Sequence, residues 1–282
     1  MVLACHADVS FAESTISPVE KFAWSGNAGW LNFRHDQPAG SGVVIGERVL
    51  SGFVWSANCG WVNLGDGSPA DGVAYSNTSA TDFGVNHDGA GNFGGFAWGA
   101  NIGWISFGWA SPADPDRPRV DLLTGQITGY VWGANLGWIR LGNQLSTVTI
   151  ACTDTDVDGI GDEWEIQHFD NLDVVSAGTD FDSDGVDDAS EYLADTDPQD
   201  PQDRLRVVGH DYDSAFSVAV VRFTSRPTRV YRIATSGDLI HWDDSNLGRF
   251  LPDLGTVTGR EIGIPGGQRL FIRVSATKPL QP

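Results

Sequence analysis

Short apolar runs separated by small polar clusters dominate the chain, and four of these runs copy one another without gaps. They are Phe22-Ala-Trp-Ser-Gly-Asn-Ala-Gly-Trp-Leu-Asn-Phe33, Phe53-Val-Trp-Ser-Ala-Asn-Cys-Gly-Trp-Val-Asn-Leu64, Phe96-Ala-Trp-Gly-Ala-Asn-Ile-Gly-Trp-Ile-Ser-Phe107 and Tyr130-Val-Trp-Gly-Ala-Asn-Leu-Gly-Trp-Ile-Arg-Leu141. Each unit is built around a Ser/Gly-x-Asn-x-Gly centre. The flanks carry aromatic and β-branched residues, which favour strands, and the centre carries turn formers, so each unit reads as strand, turn, strand. Eight of the eleven Trp residues sit here, paired as Trp24/Trp30, Trp55/Trp61, Trp98/Trp104 and Trp132/Trp138. Further strands are predicted at Phe83–His87 and Arg119–Leu122, ahead of the third and fourth units.

One hairpin cannot bury its own apolar face, so the four are expected to combine into one antiparallel β domain covering roughly residues 15–150. A closed barrel, a sandwich, a propeller-like ring and a solenoid all satisfy the pattern. The intervals of 31, 43 and 34 residues between equivalent Trp positions argue against a strict solenoid. Strand alternation puts Phe22 and Trp24 on one face and Ala23 and Ser25 on the other. Aromatic side chains dominate core burial, so the aromatic face is expected to be the core face. Asn27, Asn58, Asn101 and Asn135 are expected to hold their turns through side-chain hydrogen bonds. Trp109 lies outside the repeat and is the candidate exposed glycan contact.

Strand-like runs return after residue 203, at Leu205–Val208, Phe216–Phe223, Val230–Ala234, Thr256–Ile264 and Leu270–Val274, punctuated by Pro and Gly. They suggest a small β-sandwich. The expected architecture is therefore mainly β in three parts: a Trp-repeat antiparallel domain over 1–150, a connector over 151–203 and a C-terminal β-sandwich over 204–282.

Charge sets the connector apart. The chain carries a net −20, and residues 151–202 hold 17 acids with no Lys or Arg. A nucleic-acid binder needs the opposite sign. A segment this acidic either stays disordered or recruits cations. Its acids are also spaced. Asp154, Asp156, Asp158, Gly159, Ile160, Asp162 and Glu165 fill positions 1, 3, 5, 6, 7, 9 and 12 of a twelve-residue loop, as do Asp180, Asp182, Asp184, Gly185, Val186, Asp188 and Glu191. Calcium takes six to eight oxygens, and such a loop supplies them from alternate side chains, a backbone carbonyl at position 7 and a bidentate Glu at position 12. A solvated acidic linker would explain the charge but not this spacing. Two Ca²⁺ sites are expected, with short helices after each loop at Glu163–Phe169 and Ala189–Ala194. Asp195, Asp197 and Asp200 are candidates for a further ion; an Asp-Pro-rich linker is the preferred reading for them.

At this point a resemblance emerges. The connector resembles bacterial thrombospondin type 3-like, EF-hand-like calcium repeats, with Asp-x-Asp-x-Asp-Gly loops followed by Glu191-Tyr-Leu-Ala-Asp-Thr-Asp-Pro198. The terminal stretch bearing Tyr231-Arg-Ile and Asp238-Leu-Ile-His-Trp242 looks like C-terminal modules of large bacterial secreted proteins. The Trp units are similar to Ala-Trp-x-x-Asn-x-Gly-Trp-Ile-x-Phe repeats of bacterial surface proteins. The resemblance implies an extracellular or cell-surface protein. The opening Met1-Val-Leu-Ala-Cys-His-Ala7 lacks a charged start and a long apolar run, so a signal sequence is incomplete or absent.

Among function classes, catalysis finds little support. No Gly-x-Ser-x-Gly elbow, His-Glu-x-x-His pair or phosphate loop occurs. Asp82, Asp88 and Asp121 are the least implausible hydrolase carboxylates, and each has a turn explanation. No apolar run is long enough to span a membrane as a helix. Cys5, Cys59 and Cys152 define no disulfide framework. The expected function is a calcium-binding structural protein, not an enzyme, that self-associates into a fibre or surface assembly through its charge polarity and edge strands. A carbohydrate-binding or adhesive module is the alternative, and a secreted hydrolase the weaker one.

Overall fold

The computed structural model describes residues 13–142, 144–264 and 270–281. The opening heptapeptide and Cys5 lie outside them. Strands run in chain order as β1 (Ile16–Ser25), β2 (Gly29–Asn32), β3 (Val44–Ile45), β4 (Leu50–Ser51), β5 (Phe53–Ser56), β6 (Gly60–Asn63), β7 (Val85–His87), β8 (Phe93–Gly99), β9 (Gly103–Ser106), β10 (Arg119–Val120), β11 (Ile127–Thr128), β12 (Tyr130–Gly133), β13 (Gly137–Arg140) and β14 (Leu145–Thr147). Helices α1 (Asp162–Phe169) and α2 (Asp188–Ala194) follow, then β15 (Val207–Asp213), β16 (Val218–Thr224), β17 (Val230–Ser236), β18 (Asp243–Asp244), β19 (Val257–Gly263) and β20 (Phe271–Thr277).

The four repeats are the hairpins β1–β2, β5–β6, β8–β9 and β12–β13. Each pairs with the next, and β13 returns to β1 through Trp24↔Arg140 and Ser25↔Ile139. The result is a closed eight-stranded antiparallel barrel, which removes every edge from this ring. Each hairpin turns through three residues, as at Gly26–Ala28 between the paired Ser25 and Gly29. Gly29, Gly60, Gly103 and Gly137 adopt φ of 71°, 78°, 77° and 73° at the close of these turns, a left-handed conformation that glycine takes without steric cost.

The alternation is as the sequence implies, but the faces are reversed. Ala23, Leu31, Val54, Val62, Ala97, Ile105, Val131 and Ile139 point inward and are at most 3% exposed. The eight repeat Trp residues point outward and are 38–51% exposed. The physical reason is capacity. An eight-stranded barrel is just wide enough for medium side chains to fill. Aliphatic residues leave a void of only about 10 Å³ between them, so no indole fits. Phe33, Leu64, Phe107 and Leu141 continue this core toward one end, and Ala28, Cys59, Ile102 and Leu136 plug the turn end.

The turn asparagines also act differently from expectation. Each reaches across to the neighbouring hairpin: Asn58 Nδ2 donates to the Ala28 carbonyl at 3.0 Å, Asn101 to Cys59 at 3.2 Å, Asn135 to Ile102 at 3.0 Å and Asn27 to Leu136 at 2.8 Å. The four bonds form a closed circle that ties the hairpins together.

The other end of the barrel carries the loops and the rest of the chain. There Ala151 N–H donates to the Ile45 carbonyl, and Arg48 reaches the Gln167 side chain of α1. The C-terminal part consists of two three-stranded sheets, β15-β16-β19 and β18-β17-β20, sharing a core of Ala219, Val221, Phe223, Tyr231, Ile233 and Ile262. Five of its strands fall within a few residues of expectation; the two-residue β18 has no sequence signal.

Inside and outside are separable by mutation. Ile139→Ala is expected to cost about 2–5 kcal/mol of stability, as for other fully buried aliphatic truncations. Trp132→Ala, on the outer face, is expected to cost less. Denaturant unfolding of both variants checks this, and equal or reversed costs would contradict the assignment of faces.

Candidate cation-binding loops

The two acidic loops fold alike because their first carboxylates fold the backbone around themselves. Asp154 accepts N–H bonds from Asp158 at 3.2 Å and Gly159 at 3.1 Å; Asp180 accepts them from Asp184 at 3.2 Å and Gly185 at 3.0 Å. Asp158 Oδ1 accepts from Ile160 N–H and Asp184 Oδ1 from Val186 N–H, both at 2.8 Å. Asp162 and Asp188 close the loops from the helix starts by accepting the N–H of Thr155 and Phe181. Carboxylate oxygens of Asp154, Asp156 and Asp158 lie within 4.8 Å of one another, and so do those of Asp180, Asp182 and Asp184.

Behind each cluster stands a glutamate on the first turn of a helix. Glu165 and Glu191 are completely buried. Among the described residues, both carboxylate oxygens of Glu165 lack any hydrogen-bond partner, as do Glu191 Oε2, Asp158 Oδ2, Asp182 Oδ2 and Asp188 Oδ2. The other Glu191 oxygen accepts the Thr196 hydroxyl at 3.1 Å. Buried polar atoms are almost always paired, so six orphaned carboxylate oxygens at the ligand positions of the two loops mark places where a positive charge belongs. Burial, then repulsion from Asp158, Asp156, Asp162 and Asp154, pushes the Glu165 carboxyl up to about 7. Burial, together with repulsion from Asp182, Asp184 and Asp188, pushes Glu191 up to about 8 despite the Thr196 bond. An all-oxygen donor set suits a hard divalent cation and lacks the nitrogen and sulfur that softer metals prefer.

The loops share one small core. Ile160 and Trp164 from the first pack with Val175 and with Tyr192 on α2. Sequence reasoning missed the third partner of the second loop. Arg204, twenty residues downstream, donates to the Asp184 carbonyl at 3.0 Å and to its Oδ2 at 2.9 Å. No local spacing signals such a contact.

The remaining candidates fall elsewhere. Asp195, Asp197 and Asp200 do not gather into a third cluster. The Asp195 side chain is taken by Arg229 and the Thr228 hydroxyl. Burial works against its charge, but these groups with Arg48 and Arg226 outweigh it and hold the carboxyl below its ordinary range. Asp197 accepts the Gln199 N–H and faces His168, and Asp200 accepts the Gln202 N–H. The three act as turns and a clasp to the sandwich. Trp109 is half-buried; its indole N–H donates to the Tyr130 carbonyl at 2.7 Å and its ring packs on Trp138. It is a wedge and not the open platform expected. Asp82, Asp88 and Asp121 each accept backbone N–H bonds within their own loops. Cys59 and Cys152 are free thiols. A further group, Glu47, Cys152 and Glu163, lies where barrel and connector meet, but the Lys278 ammonium already pairs with Glu47 there and with the Tyr192 hydroxyl.

No protein family, curated protein or solved structure matches the chain.

The raised glutamates fix the sign of a pH dependence. A carboxyl whose folded pKa exceeds its unfolded value contributes stability below the unfolded pKa, and that stability is lost as pH rises through the folded pKa. Burial lowers the pKa of His35, His87 and His168 below the ordinary 6.5, so above about pH 7 they are largely neutral in both states. Chelated protein should therefore lose thermal stability between about pH 7 and 8.5. The double variant Glu165→Gln/Glu191→Gln should flatten that slope. Melting curves in chelator across this window test it, and a flat or rising wild-type profile would refute it.

Proposed function

We propose that the chain is a calcium-binding structural module that works outside the cell, with one ion in each acidic loop and the loop unit holding the barrel against the sandwich. The observation that carries this reading is the pair of buried glutamates, Glu165 and Glu191, whose free oxygens sit behind three clustered aspartates. In the first loop Asp154, Asp156, Asp158, Asp162 and Glu165 would hold the ion with the Ile160 carbonyl. In the second, Asp180, Asp182, Asp184, Asp188 and Glu191 would do so with the Val186 carbonyl. Calcium supplies the positive charge that relieves their mutual repulsion.

The surroundings explain why this would be structural. α1 and α2 lean on one core, so filling either loop steadies both. Arg229, itself buried, donates to the Leu193 and Tyr192 carbonyls at 3.0 and 2.7 Å. α2 is thus tied to the sandwich, while Arg48 and Lys278 tie the unit to the barrel. A sensor that opens on binding would expose a Met-rich groove, and the sole Met of this chain is residue 1. The resemblance of the two loops to secreted calcium repeats supports this reading, since calcium is abundant outside the cell.

Calorimetric titration should find two calcium ions per chain, and Glu165→Gln and Glu191→Gln should each remove one. At a hundredfold excess over Kd, each ion is expected to add about 2.7 kcal/mol to stability. Absence of binding, with the same melt in calcium and in chelator, would overturn the proposal.

Self-association is the second reading, and one strand favours it. Among the described residues β15 pairs on one side only, with β16, and it exposes Val207, Val208 and Tyr212. A free edge bearing apolar side chains is a template for strand addition. Sedimentation in calcium should show concentration-dependent assembly that Val208→Lys suppresses. A strictly monomeric wild type at high concentration would sink this reading.

A further inference from the structure

The outward ring of tryptophans plays no part in the calcium proposal, and its surroundings give it a character of its own. Two indoles per hairpin stand around the whole barrel beside the turns, at the end away from the connector and the sandwich. Across the four twelve-residue repeats Arg140 is the sole charged residue, although charged residues make up 19% of the chain. The exposed turn residues are Gly, Ala and Asn. Among the described residues the indoles whose N–H finds a protein acceptor are Trp109 and Trp242, neither of them in the ring.

We propose that this end of the barrel is a lipid-docking tip that settles into the headgroup region of a bilayer with an uncharged or zwitterionic surface. An indole has an apolar body and one hydrogen-bond donor, and it prefers the boundary between headgroups and hydrocarbon. A ring of indoles on a barrel meets a planar medium on every side at once when the barrel axis lies along the bilayer normal. A protein partner or one glycan strand would engage only one flank. The rings are also crowded. Trp61 contacts His35, Phe53 and Trp55, and Trp104 contacts Phe83, Phe96 and Trp98, all in edge-to-face or tilted arrangements. Such packing suits a disordered apolar boundary better than a sugar that needs an open flat face.

Charge selects the kind of surface. A protein of net −20 with no basic cluster on the tip is repelled by anionic headgroups, so the fit is to neutral or zwitterionic ones. The Asn circle already satisfies the Ala28, Cys59, Ile102 and Leu136 carbonyls, so the tip carries these polar groups into the interface already paired. The outer face of each repeat strand is only a few residues long, which limits the tip to the interface.

The test uses the full chain in calcium with phosphatidylcholine vesicles. The wild type is expected to float with the vesicles and to shift its tryptophan emission to the blue. The triple variant Ala57→Glu/Ala100→Glu/Ala134→Glu alters exposed turn positions outside both the ring and the core. It should lose at least about tenfold in vesicle affinity, because carboxylates are costly at the interface, while its melting temperature stays unchanged. The proposal fails if the wild type does not float, or if the triple variant binds equally well. It also fails if the protein ignores vesicles but is retained on insoluble polysaccharide through the same tryptophans.

Discussion

The narrowness of an eight-stranded barrel governs the rest of this molecule. Eight strands of about four residues enclose a space that Ala, Val, Leu and Ile fill almost completely. Once the interior is full, the sixteen other strand positions of the repeats must face outward, whatever their hydrophobicity. The tryptophans are therefore outside by exclusion, and their clustering against one another recovers part of the apolar burial that the interior cannot give them. The Asn circle at the turn end then locks the four hairpins into one closed ring. Long loops and chain connections can only leave from the opposite end, and the barrel's charged side chains gather there with them.

A second constraint, electrostatic rather than steric, governs the connector. Its loops converge carboxylates into small volumes and bury two glutamates behind them. Coulomb repulsion between like charges at these separations is severe wherever water is excluded. The protein itself answers only part of it. Arg204 meets Asp184, Arg229 meets Asp195 and Lys278 meets Glu47. Each of these cations comes from the sandwich, whose own charge is positive, and each lies at a boundary of the loop unit. None reaches Glu165 or Glu191. The internal cations thus organise how the parts dock, and the carboxylates at the loop centres keep their mutual repulsion.

These two constraints explain what could be read from the residues alone. The repeats gave four hairpins because a turn centre and period-two strands are local properties. The loops were legible because ligand spacing along twelve residues is local as well, down to the helices that follow. The orientation of the Trp face was not legible, since both faces of each strand are apolar and only the radius of the closed barrel decides between them. Local spacing ties the Asn residues to their own turns, because their true acceptors lie up to 109 residues away. Arg204, Lys278 and the wedge role of Trp109 were hidden for the same reason: each depends on a contact made only after closure or docking.

The barrel and the connector can be seen as complementary answers to the same problem of where charge is placed. In the connector, acid is concentrated to the point where it would recruit cations, and that demand would be met beside the junctions that set how the three parts sit. At the far end of the barrel, charge is almost absent, and among the described residues the aromatic surface there is anchored to neither the connector nor the sandwich. Calcium in the loops would therefore do more than stabilise two helices. By fixing the connector against the barrel's charged end, it would keep the acidic mass away from the uncharged end. A flexible connector, with net −17 over residues 151–202, would be free to swing toward that end and screen it with carboxylates. Rigidity at one end of the molecule is in this sense a condition for presenting the other.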